Sequence, residues 1–130
     1  MKHITILLTL FLVTMMTSAY AQTANPASHG KVLRHVVLFK FKDDASPEDV
    51  KRVEQAFAAL ANKIKLIKDF EWGTNNSPEG LNQGLTHCFL VTFKTEKDRD
   101  AYLVHPDHKA FVDILRPHLE KATVVDYWAQ

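Results

Sequence analysis

A chain of 130 residues with 16 Lys and Arg against 15 Asp and Glu has room for one domain with a single core. Balanced charge without a basic run argues against a nucleic-acid partner. The single cysteine, Cys88, excludes an internal disulfide and reads as a small buried apolar residue, not a nucleophile.

Residues 1–21 read as a secretory signal peptide. Met1-Lys2-His3 is a basic start, 4–16 is an apolar run broken only by threonines, and Ala19-Tyr20-Ala21 is an Ala-x-Ala cleavage site. The run is shorter than the about 20 residues a membrane span requires, and no other segment could span. The expected mature protein is exported, to periplasm or medium, with no membrane attachment. Residues 22–31, rich in Thr, Asn, Pro, Ser and Gly, form a flexible leader. The domain occupies 32–130.

Within it, 33–42 is rich in β-branched and aromatic residues and is the first predicted strand. Ser46-Pro47-Glu48-Asp49 starts a helix, with Ser as cap, Pro in the first turn and acids at the positive end of the dipole. Val50, Val53, Phe57, Leu60 and Ile64 follow at helical spacing. Strand two is predicted over 67–74, a loop over 75–84 and strand three over 85–94. Thr95-Glu96-Lys97-Asp98 opens a second helix. That helix breaks at His105-Pro106, because proline ends one helix and can begin another. It resumes to about 119, and 122–128 is strand four. The order β-α-β-β-α-β is the ferredoxin-like α+β arrangement, a four-stranded antiparallel sheet with helices on one face. Large apolar side chains remain for the other face, with Phe39, Phe41, Phe89 and Phe93 as the main evidence, so two copies are expected to pack sheet to sheet as a dimeric α/β barrel.

The chemistry-bearing residues are histidines. His35 and His87 sit in alternating apolar strands, and His105 and His108 flank Pro106. Imidazole has the side-chain pKa nearest neutrality. His108 falls in the first turn of a helix, whose N-terminus disfavours an imidazolium, so it can serve as a base. Tyr102 lies across the break and could hydrogen-bond a developing enolate oxygen. Asp126 can orient a pocket imidazole or pair with a lysine. His105 and His108 are three apart and interrupted by proline, unlike the unbroken i, i+4 pair of common zinc motifs. No metal site and no cofactor are expected.

Three segments carry a family resemblance: Arg34-His35 through Lys42, Gly84 through Phe93 with His87, and Tyr102-Leu103-Val104-His105-Pro106-Asp107-His108. With Val125-Asp126-Tyr127, they resemble the stress-responsive dimeric α/β-barrel family, Dabb, over nearly the whole of 33–128. The resemblance implies a homodimer and matches His35 and His87 to pocket histidines; the expected ligand pocket is formed by His35, Val37, Phe39, His87, Phe89 and His105. One plant member of the family closes a polyketide ring with a tyrosine and a histidine that match Tyr102 and His108. The leading expectation is a stress-related homodimer that binds a small apolar or carbonyl ligand without established turnover. The alternative is a cofactor-free acid–base enzyme, polyketide-cyclase-like or an isomerase, using Tyr102 and His108.

Overall fold

In a computed structural model, which describes residues 30–130, the elements are β1 (Leu33–Phe41), α1 (Pro47–Lys63), β2 (Asp69–Thr74), β3 (His87–Phe93), α2 (Glu96–Leu103), α3 (Pro106–Leu115) and β4 (Leu119–Trp128). The expected signal peptide, and all of the leader before Gly30, lie outside the described residues. The strands form one antiparallel sheet in the order β2-β3-β1-β4. β1 is paired on both edges, and β4 is an edge strand.

Side chains alternate across a strand. On β1 the odd residues Leu33, His35, Val37 and Phe39 are buried, and the even ones are only partly covered. Register carries this parity outward: His35 faces Asp126 and Val91, and Phe39 faces Ala122 and His87. The helices lie on the odd face. Ser46 caps α1 by accepting the Asp49 N–H at 3.1 Å, and Val53, Phe57 and Leu60 point from α1 into the sheet. Phe57 stacks on Phe89 at 4.4 Å between centroids and meets Phe111 of α3 at 4.5 Å. Each fully buried side chain of this kind contributes about 1.5–3 kcal/mol.

Several expectations change. Phe39, Phe89 and Phe93 do not lie on the uncovered face; they are core residues beneath the helices. Phe41, beyond a register shift between β1 and β4, packs edge-on against Phe39 and His87. The uncovered face is apolar for a different reason: Val36, Leu38 and Leu90 share it with the exposed Val125 and Tyr127. Cys88 points the same way and is exposed, because even residues of β3 face away from the helices.

The last helix ends at Leu115, not near 119. Pro117 has no N–H with which to continue it, and Leu119 and Lys121 instead pair with Phe41 and Lys40 of β1. Strand four therefore starts three residues earlier than its composition suggests. Ile67 and Leu85 fall just outside their strands; Ile67 still packs into the core.

Candidate functional site

Three elements converge over the β1–β4 half of the sheet. α2 begins at Thr95, whose Oγ1 accepts the Asp98 N–H at 3.1 Å, and it runs only to Leu103. Its last turn places Tyr102 inward. The Tyr102 ring lies 5.0 Å from Phe93, 6.0 Å from His35 and 4.5 Å from His108, centroid to centroid. Tyr102 is fully buried, and its hydroxyl has no hydrogen-bond partner among the described residues. Burial pushes its ionisation well above the ordinary tyrosine range. A buried donor left unpaired costs roughly 1–3 kcal/mol.

His105 is the N-cap of α3; its Nδ1 accepts the Asp107 N–H at 3.2 Å. That bond requires an unprotonated Nδ1. Pro106 occupies the first turn, where its missing N–H is harmless. The helix break leaves the Leu103 carbonyl free, and His108 Nδ1 lies 3.1 Å from it. A carbonyl only accepts, so Nδ1 carries the proton. In the neutral ring, the lone pair therefore sits on Nε2. His108 is held below the ordinary imidazole range, chiefly by burial and also by the nearby His35 and His105; the Leu103 carbonyl opposes this.

His35 Nδ1 meets Asp126 Oδ1 at 2.6 Å, and the other oxygen, Oδ2, accepts from Arg99 Nη1 at 2.6 Å. Arg99 Nε also donates to Asp100 Oδ1 at 2.8 Å. These groups border a cavity of about 520 Å³ whose apolar wall includes Phe39, Leu103, Phe111, Val112, Leu115 and Val124.

The structure brings His108, His35 and Phe39 to this cavity and sets the fully buried Tyr102 ring against His35 and His108 just behind the cavity lining. It does not bring in His87, which lies four residues further along the sheet, roughly 13 Å away by strand rise. There His87 Nε2 pairs with Glu54 at 2.9 Å, Nδ1 pairs with Thr86 Oγ1 at 2.9 Å, and Trp72 stacks against the ring. Val37 and Phe89 are core residues and His105 is a cap; none of the three borders the cavity. A larger hollow of about 810 Å³ opens on the uncovered face, against Val36, Leu38, Leu90, the loop residues Leu81, Asn82, Gln83 and Leu85, and His87. It is away from the Tyr102–His108 cluster, so the helix-side cavity is the candidate site. Among the described residues, no three His, Cys, Asp or Glu side chains are grouped to hold a metal ion, and no helix is long and apolar enough to cross a membrane.

Neither Arg99, which borders the site, nor Glu54, which holds His87 away from it, was evident from sequence. Arg99 had one signal: it lies three residues before Tyr102, on the same helix face. Glu54 had none, since its partner His87 is set by the packing of α1 on the sheet.

A four-stranded antiparallel sheet with its helices on one face, and an apolar, histidine-edged cavity beneath them, defines a small ferredoxin-like α+β protein. The chain belongs to the stress responsive A/B barrel domain family, whose sequence model matches residues 33–129. A stress-response A/B barrel domain-containing protein of Arabidopsis thaliana, HS1, is 40% identical over 95 residues, covering 73% of this chain and 87% of that protein. Olivetolic acid cyclase of Cannabis sativa is 30% identical over 95 residues, covering 73% of this chain and 94% of the cyclase. Among solved structures, hydroxynitrile lyase from Passiflora edulis superposes with a TM-score of 0.72 at 25% identity, covering 77% of this chain and 94% of the lyase. A dimeric ferredoxin-like protein from Bacteroides fragilis gives 0.63 at 31% identity, over 75% and 96%.

The lowered His108 pKa has a consequence for stability. As pH falls below about 6.5, the unfolded chain takes up this proton before the folded one does, so His108 subtracts stability through that window until the folded ring also titrates. Denaturant midpoints measured across this range should fall less in His108→Gln than in the parent. An equal fall in both would contradict the lowered value.

Proposed function

We propose that the chain is a homodimer whose helix-side cavity binds a small apolar carbonyl compound and moves a proton at the carbon beside the carbonyl, without a cofactor. The observation that carries this reading is the Tyr102 hydroxyl, buried and unpartnered beside a half-buried, deprotonation-favoured His108. A folded protein tolerates an unpaired buried donor at a functional site, where a ligand atom can complete it. The Tyr102 hydroxyl would donate to the carbonyl oxygen. His108 Nε2 would take the α-proton; the C–H electron pair moves into the enolate, its negative charge rests on the oxygen facing Tyr102, and the proton returns from His108 to carbon. Binding without turnover, the leading expectation from sequence, uses the same cavity. The free lone pair on His108 favours turnover, as do relatives that are by name a cyclase and a lyase.

A direct test follows the exchange of acetophenone α-hydrogens for deuterium by NMR in heavy water. Tyr102→Phe should slow exchange roughly 10²–10³-fold yet leave stability unchanged or up to about 1 kcal/mol higher, because it removes an unpaired buried donor. Replacing His108 by Gln should cost roughly 10²–10⁴-fold. Parent-like exchange in both variants sinks the reading.

The dimer would bury Val36, Leu38, Leu90, Val125 and Tyr127, and dimeric relatives of the same fold support it. Sedimentation should show two copies for the parent and a folded monomer for Leu90→Glu. The same mass for both would argue against this face. Export is supported by the basic start, the apolar run and Ala19-Tyr20-Ala21; protein recovered outside the cytoplasm should begin at Gln22 by N-terminal sequencing.

A further inference from the structure

α2 is tied to the edge strand β4 by two side-chain bonds, the first of which borders the cavity. Arg99 donates to Asp126 at 2.6 Å, and Trp128 Nε1 donates to Glu96 at 3.3 Å. Beside them β4 is open, with Val124 on the helix side yet exposed. Asp126 is itself about one-fifth exposed at this edge. Such a carboxylate could rotate into water and release the ring it holds. It is instead gripped on both oxygens, by His35 on Oδ1 and Arg99 on Oδ2. Arg99 is in turn steadied through Nε by Asp100.

We propose that Arg99 is a positioning residue of this site. Through Asp126 it keeps the Nδ1–H of His35 bound to carboxylate and leaves Nε2 as the nitrogen that can reach a ligand. One turn of α2 then supplies both Tyr102, whose ring packs on His35 and His108 behind the cavity lining, and the orientation of His35 through Arg99. A guanidinium suits this position because it donates from Nη1 and Nε in a fixed planar fork, whereas lysine offers a point charge on a flexible stem. The role in turnover rests on the proton-transfer reading; the effect on the His35 ring does not.

The test uses the whole mature chain with ¹⁵N-labelled histidine. In the parent at pH 8, His35 should be a single Nδ1–H tautomer with a slowly exchanging Hδ1. Arg99→Leu should give a tautomer mixture and fast exchange of Hδ1, while Arg99→Lys restores part of the parent signature. Loss of an orienting carboxylate can cost up to about 10⁴-fold in rate. Arg99 is one step further removed, so Arg99→Leu should slow acetophenone exchange about tenfold, with its affinity within about twofold. On an Asp126→Asn background the same change should add nothing, since the effect passes through Asp126. A parent-like His35 tautomer and Hδ1 exchange in Arg99→Leu overturns the proposal. If the parent exchanges no acetophenone hydrogens, the proton-transfer reading fails, and the tautomer measurement still decides the role of Arg99.

Discussion

The two-residue period of a strand bonded on both edges governs this molecule. β1 pairs with β3 on one side and β4 on the other, so its odd and even residues are committed to opposite faces. Turning Leu33, Val37 and Phe39 under the helices also turns His35 inward, because the four share a parity. The antiparallel register then brings Asp126 beside His35 and His87 beside Phe39. A slip of one residue would put His35 on the uncovered face and Val36 in the core. The core, the site and the surface left for a second copy therefore follow from one choice.

The helix break supplies the rest of the site. An unbroken helix would use the Leu103 carbonyl within its own ladder. With the chain turned at His105-Pro106, that carbonyl instead accepts from His108, fixing which nitrogen holds the proton. The same turn sets the His108 ring against Tyr102. His105, which looks like a ligand-binding residue by type, caps the new helix through the Asp107 amide. Two histidines three residues apart thus have unlike tasks because one precedes the helix and the other lies within its first turn.

The two ends of the sheet show how a buried imidazole can be closed or left open. His87 is bonded through both nitrogens, to Glu54 and Thr86, and covered by Trp72. Its hydrogen-bonding capacity is used within the protein. Among the described residues, His35 and His108 each bond through Nδ1 only, and the Tyr102 hydroxyl beside them has no partner. Unspent polar capacity is concentrated at the wall of the apolar cavity, on His35 and His108, and just behind it, on Tyr102, as a recognition site for a small molecule requires. The larger hollow is bordered by His87, Glu71 and Lys121, and not by His35, Tyr102 or His108.

Much of this was legible in the chain itself. The element types and order, the caps at Ser46 and Thr95, and the break at Pro106 depend on local backbone preferences, and these act over a few residues. Tyr102 and His108 could be paired from sequence because a single short turn separates them. Tertiary structure decided which sheet face meets the helices, and so overturned the placement of Phe39, Phe89, Phe93 and Cys88. Alternation shows that a strand has two faces, yet both faces of β1 and β3 carry apolar residues, and only packing against α1 and α3 distinguishes them. It also decided that Leu119 to Lys121 are strand, since their pairing partners lie about 80 residues away in β1. The separation of His87 from His35, and the joining of Arg99 to His35 through Asp126, depend on register and on where a helix crosses the sheet. Those are contacts between distant parts of the chain, and no local pattern of residues encodes them.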